Sequence, residues 1–400
     1  MELWDFKPNW TSEITQEYVY STTIVNSRSG KEQRRALRDR PRMRQTSNHL
    51  IYGEEEWRRY SGFLLNHQNE KMWVPDPVRG FNAIGTRQIG TTTVTPPAGF
   101  VDNWSRPGHT HVVQNIDGSY MVRTVSTYLP NTNALVYTTP STVALAEGFT
   151  VRPVYSAWGS PEITGALYTP DIEGGQMVFD VDVTEQPNID VAVPEEIFLN
   201  REVLAFKRFN WTTTPQFVRG HPKEVVDYGL GKVSSYSPIE LPIWRLVGKF
   251  TSMRHSDAEK LLRFFMRRKG RWKGFYMPTY NKDLAPATGL LSGQDYIVCK
   301  GADLIRDFKD SKLFKNIYIQ LSNGGTLKRR VADMSFFNDG TSDFTTVTVD
   351  SPWSRAYSLS EIVSISWMPL VRFSSDIFIQ RWLGYDVCET TLDFTILEGE

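Results

Sequence analysis

Few residues in this chain have the types and spacing that catalysis needs. His109 and His111, in NWSRPGHTH, sit two apart, a spacing that puts two imidazoles on one face of a strand. A metal site needs three or four converging ligands, and no carboxylate stands at ligand spacing beside this pair. The surrounding Asn, Pro and Gly read as a loop. Asp180 and Asp182 alternate with Phe and Val. That pattern predicts one solvated strand face rather than two acids converging across a cleft, as glycoside hydrolysis requires. GLGKVSS (229–235) has the residues of a phosphate loop without its spacing. No GxSxG elbow and no HExxH pair occurs. Cys299 and Cys388 stand alone, so neither a disulfide scaffold nor a zinc site is expected. The expectation is a protein with no enzymatic activity, cofactor or metal.

Charge gives a stronger signal. GKEQRRALRDRPRMR (30–44) sets Lys31, Arg34, Arg35, Arg38, Arg40, Arg42 and Arg44 against only Glu32 and Asp39. Such a run can contact phosphates. It can also meet acids of a neighbouring module or subunit, and residues 171–196 offer Asp171, Glu173, Asp180, Asp182, Glu185, Asp190, Glu195 and Glu196. No aromatic residue interleaves with the run, as a stacking platform for single strands would require. Arginine is enriched at protein interfaces, so protein–protein pairing is favoured over nucleic acid.

The elements that position these residues follow from the whole chain. It has 400 residues and a formal net charge of zero, which argues against a bulk polyanion binder. That length suggests two or three domains. Twelve Trp, seventeen Tyr and twenty-two Phe favour strands. No apolar run approaches the ~20 residues of a membrane span. The polar opening MELWD does not read as a secretory signal, so synthesis in the cytosol is expected. NWT at Asn9 and Asn210, and Asn103-Trp-Ser, are therefore not expected to carry glycans.

The chain repeats itself loosely. FKPNWT recurs as FKRFNWT, an offset of 201 (211 − 10). EKMWVP at 70–75 matches KGFYMP at 273–278, aligning Pro75 with Pro278 at an offset of 203 (278 − 75). Before each lies a helix candidate. EEEWRRYSGFLLNH carries acids in its first turn and apolar Trp57, Tyr60, Phe63 and Leu64. The other has Ser256 and Glu259 spaced as a capping box, then KLLRFFMRRKG with Gly270 as its stop. TPDIEGGQMVFDV (169–181) matches GYDVCETTLDFTI (384–396) at an offset of 215 (386 − 171). The growing offset implies an insertion in the second half. Trp10 and Trp211 read as anchors of an incoming segment. Strands are expected at 120–126, 134–138, 177–183, 294–299, 315–320, 344–349 and 361–371, separated by NIDG, SNGG and NDGT turns. The fold expected is mainly β: two related barrel or sandwich modules, 1–186 and 200–400, each with one packed helix, joined by a connector at 187–199. An internal duplication is the expected origin.

Three stretches resemble a known family. SGKEQRRALRDRPR, RRKGRWKGFYMPTYNKDL and VSISWMPLVRFSSDIFIQRWLGYDVCETTLDFTILE, with Arg372, Phe373, Ser375, Asp376, Asp386, Leu392 and Phe394, are similar to the distal tail and baseplate hub proteins of long-tailed bacteriophages. The resemblance touches both halves. It implies a structural protein of the virion tail tip, in rings of β-modules that continue the tail tube. A trimer giving a pseudo-six-fold ring is implied, with a hexamer as the alternative. Tail tube, tape-measure and central hub or fibre proteins would be its neighbours, and phage DNA would pass only in transit. The first half departs from the pattern: the 215 offset puts Ala157 and Pro161 where Arg372 and Asp376 stand. Some hub relatives carry a cysteine set for an iron–sulfur cluster, which two lone cysteines cannot supply. A lectin-like tail protein that stacks Trp and Tyr on host glycans is the alternative, and a polysaccharide hydrolase a third reading.

Overall fold

The computed structural model describes the chain except residues 28–30, 68, 98–106, 161, 171, 183–193, 207, 221–222, 230, 232, 238–241 and 399–400. Asp171 and most of the 187–199 connector thus lie outside the described residues. The fold is mainly β, with its sheets open and sandwich-like rather than closed into barrels. Three α-helices accompany them among the described residues: α1 (Glu54–His67), α2 (His255–Arg268) and α3 (Asp303–Phe308).

The first two helices start and stop for local reasons. α1 follows Gly53, whose φ of 87° turns the chain, and Glu54, Glu55 and Glu56 face the positive end of the helix dipole. α2 ends where Lys269 and Gly270 adopt φ of 51° and 63°, so the Lys269 N–H turns back to the Met266 carbonyl. Ser256 does not cap α2: the cap position falls at Arg254, and the Glu259 carboxylate serves a distant arginine instead.

The same framework surrounds α1 and α2. Arg42–Tyr52 leads into α1 and Lys71–Pro75 leaves it, while Ile243–Ser252 leads into α2 and Phe275–Tyr276 leaves it. The closing strands Ile172–Val181 and Cys388–Ile396 lie antiparallel to the long strands, with Met177 opposite Ser47 and Leu392 opposite Gly248. Thr150–Gly159 joins Lys71–Pro75 to the first closing strand, and Leu370–Phe373 joins Phe275–Tyr276 to the second. Thr164–Thr169 and Ile377–Trp382 flank the other ends of the closing strands.

The opening segments dock alike. Trp4 N–H donates to Trp73 O and Leu204 N–H to Tyr276 O, both at 2.8 Å. Asn9 N–H donates to Asn48 O and Asn210 N–H to Lys249 O, both at 2.7 Å. The repeated tripeptide is a turn: Asn9 Oδ1 accepts from the Thr11 N–H, and Asn210 Oδ1 from the Thr212 N–H, each at 3.0 Å. The asparagines do the fixing. Trp10 and Trp211 are exposed, and the buried anchor of the first segment is Trp4, edge-on to Phe6, His49, Tyr60 and Phe179. Pro75 ends its strand opposite Val154, and Pro278 is buried.

Strand register also moves one alignment. Trp158 lies opposite Asp180, and Arg372 opposite Thr395, which match each other along the closing strands. Trp158, not Ala157, therefore holds the position of Arg372. Pro161 lies outside the described residues.

Both halves, not only the second, carry an inserted unit between these framework strands. Phe81, Val94, Val113, Leu135, Phe149 and Val151 form the core of the first. The second packs Ile297, Cys299, Ile317, Val347, Trp353 and Trp367 inside a five-stranded sheet that α3 flanks. The halves themselves share one core, in which Trp4, Tyr60 and Phe179 belong to the same cluster as Leu262, Phe265, Phe373 and Phe394.

Candidate functional site

His111 lies on the buried strand Thr110–Gln114, not in a loop, with its Nδ1 3.0 Å from the Tyr137 hydroxyl. Among the described residues, no three His, Cys, Asp or Glu converge as metal ligands.

The acidic strand meets basic partners inside the chain. Arg44 Nε donates to Asp180 across the ladder at 2.8 Å, and Lys71 Nζ donates to Asp182 at 2.5 Å. Glu173 accepts from the Trp57 indole at 3.0 Å. Arg38, Arg40, Arg42 and Arg44 line an open groove with Glu17, Trp158, Asp180 and Asp182.

Where the two halves meet, the contacts are denser. Strand Ile14–Val19 inserts between Arg42–Tyr52 of its own half and Ile377–Trp382 of the other, pairing antiparallel with both. Ile14, Gln16 and Tyr18 are buried from one side, and Phe378, Gln380 and Trp382 from the other.

The arginine-rich run begins as a hairpin, Thr22–Asn26 with Glu32–Ala36, that leans on the second half. Glu32 grips Arg372 through two hydrogen bonds of 2.7 Å, from Nε and Nη2. This bidentate form is the strong one. Asp376 accepts from the Thr22 N–H at 2.7 Å, the Thr22 hydroxyl at 2.9 Å and the Arg271 N–H at 2.9 Å. Asp39 accepts from Lys269 Nζ at 2.6 Å, and that contact holds its carboxyl below the usual range. Lys31, Arg35, Arg40 and Arg42 stay exposed, while Arg34 and Arg38 are half-buried.

Deeper in the junction lies a buried charge cluster. Arg79 donates to Asp76 Oδ2 at 2.5 Å and, from Nε, to Glu259 on α2 at 2.9 Å. Gln16 donates to Asp76 Oδ1 at 3.1 Å, and the Tyr155 hydroxyl donates to Asp76 Oδ2 at 3.0 Å. Burial alone would lower the Arg79 pKa, but the Glu259 and Asp76 carboxylates outweigh it and hold the guanidinium charged. Burial raises Tyr155, and the Asp76 charge adds to this. Burial lowers His255, against the opposing pull of Glu259. In sequence this cluster was missed. Its only signal is Asp76 and Arg79 three apart within the otherwise apolar VPDPVRG.

The junction can therefore hold two framework units in one fixed orientation, by strand pairing outside and a closed charge cluster inside. No family model matches the chain, and no curated protein is detectably similar to it.

Proposed function

We propose that this chain is a non-enzymatic structural protein of a phage tail tip, whose copies form a ring that continues or closes the tail tube. In this reading the two framework units descend from an internal duplication. Three chains present six similar units, and six chains present a ring with an outer layer. The ring adapts the tube to central hub or fibre proteins, and DNA passes only in transit. The observation that carries the reading is the recurrence of one strand register, helix and opening turn around α1 and α2, with the units locked edge to edge. Such a contact joins different surfaces, and heterologous contacts generate rings when the rotation closes.

Electron cryomicroscopy of a purified particle's tail end tests this. Three chains giving six units around one ring, or six chains with one unit each in it, support the role. Absence of the chain from the tail end overturns it. A second reading, glycan binding, is favoured by an aromatic recess lined by Phe209, Trp211, Phe217 and Trp244. Binding on a glycan array, lost in Trp211→Ala, would support that instead.

A further inference from the structure

The junction inside the chain uses one edge from each framework unit, which leaves the other two edges open among the described residues. In the first half, Ile14–Val19 pairs with Arg42–Tyr52, placing Thr15 opposite Thr46. In the second, Gln216–Gly220 pairs with Ile243–Ser252, placing Gln216 opposite Val247. Gln216 thus occupies the position of Thr15. Ile14–Val19 has a second neighbour, Ile377–Trp382, whereas Gln216–Gly220 pairs on one side only among the described residues.

The matching surface is open too. Thr164–Thr169 occupies the position of Ile377–Trp382, since Leu167 opposes Glu173 as Trp382 opposes Cys388. Every residue of Thr164–Thr169 and of Gln216–Gly220 is exposed, Leu167 by 64% and Phe217 by 60%. Beyond Gln216–Gly220, the hairpin Glu224–Asp227 with Val233–Tyr236 follows as Thr22–Asn26 with Glu32–Ala36 follows Ile14–Val19. It exposes Val225, Val233 and Tyr236.

The helices differ in the same sense. On α2, Met266 is 5% exposed, and its carbonyl accepts from the Tyr20 hydroxyl of the first half. Leu65 holds the same place on α1 and is 87% exposed. An exposed edge strand presents a row of unpaired N–H and C=O groups that templates pairing with another chain.

We infer that the chain binds a second copy of itself head to tail, with Gln216–Gly220 of one copy adding antiparallel to Thr164–Thr169 of the next. The contact repeats the internal junction. Thr15 opposes Arg381 there, and Gln16 opposes Gln380. The same register places Gln216 opposite Ala166 and Val218 opposite Thr164. The paired strands Glu224–Asp227 and Val233–Tyr236 would cover the neighbour's α1 side. This deepens the ring reading by naming its contact, although the register follows from the strand pairing alone.

Disulfide trapping reads the register directly. Gln216→Cys chains are mixed with separately purified Ala166→Cys chains under mild oxidation, and Pro215→Cys with Leu167→Cys gives the adjacent pair. One of the two pairs falls at a closely spaced position suited to a disulfide. The native thiols, Cys299 and Cys388, are buried and free. The expected result is a two-chain covalent product in at least one mixture. Gln216→Cys alone, and Gln216→Cys mixed with the off-register Tyr168→Cys, should give little. Efficient self-linking of Gln216→Cys, equal yields on and off register, or a native mass that stays monomeric at every concentration would overturn the inference. The two readings fail separately. Assembly without the cross-link rejects this contact and leaves a ring possible. The cross-link in a chain absent from tail ends upholds the contact and rejects the tail-tip role.

Discussion

Arg79 and Glu259 stand 180 residues apart in the chain and meet at 2.9 Å in its interior, one from each half. Both are almost fully buried, and Arg79 also binds Asp76. Arg79→Ala leaves two carboxylates in a buried junction with no cation between them. Removing one side of a buried ion pair costs about 3–5 kcal/mol. Chemical denaturation of the variant should show a loss of this size. A loss below about 1 kcal/mol would mean that water enters the junction and solvates the cluster.

Gly270 has no room for a side chain. Its φ is 63°, and an added Cβ would lie 2.4 Å from Asp376 Oδ1. Gly118 has a similar φ of 87° with nothing within 4 Å. Both alanine variants incur the left-handed strain of about 1–2 kcal/mol. Gly270→Ala should cost more than Gly118→Ala, because it also displaces the carboxylate that holds Thr22. Hydrogen exchange should then rise over residues 22–36 in Gly270→Ala and stay unchanged there in Gly118→Ala.

His49 makes stability depend on pH. Burial lowers its pKa to about 4, against the pull of the Lys7 carbonyl, from which its Nδ1 lies 3.1 Å. The unfolded chain takes up the proton near the ordinary pKa of ~6.5, and the folded chain resists until about 4. This contribution is complete above ~6.5 and lost as pH falls towards 4, by about 3 kcal/mol in all. Denaturation curves at pH 7 and pH 4.5 should therefore converge in His49→Gln relative to the unmodified chain. Parallel losses in both proteins would assign the acid sensitivity to other groups.

Burial pushes the Cys299 and Cys388 thiols up to about 12. Neither should react with a thiol reagent at pH 8 in the native protein, and both should react once it is denatured. Rapid labelling of the native protein would show that the second inserted unit or the junction opens readily.

Local signals were legible in the sequence and distant pairings were not. The bounds of α1 match the stretch EEEWRRYSGFLLNH because its acids and Gly53 act within one turn. The NIDG, SNGG and NDGT turns join strand pairs as their glycines require. Arg42–Tyr52 escaped notice because its buried face reads Met43, Gln45, Ser47, His49, Ile51. Ser47 bonds His49, His49 faces the Lys7 carbonyl and Gln45 faces Gln16, so polar residues sit inside and hide the alternation that marks a half-buried strand. The Ser256–Glu259 capping signal failed because Glu259 answers to Arg79 across the junction. Arg372, Asp376 and the 30–44 run stand far apart in the sequence. Nothing local said that Glu32 and Thr22 would meet them.

The pairing of Ile14–Val19 with Ile377–Trp382 also sets an order of events at the ribosome. Ile14–Val19 is made 363 residues (377 − 14) before its second neighbour begins. At roughly 5–20 residues per second, about 20–70 seconds of translation separate the two. Throughout that interval the nascent chain carries an open strand edge, and any other copy on the same message offers the same late partner. This order favours co-translational swapping between nascent chains, and slow synthesis prolongs exposure to it.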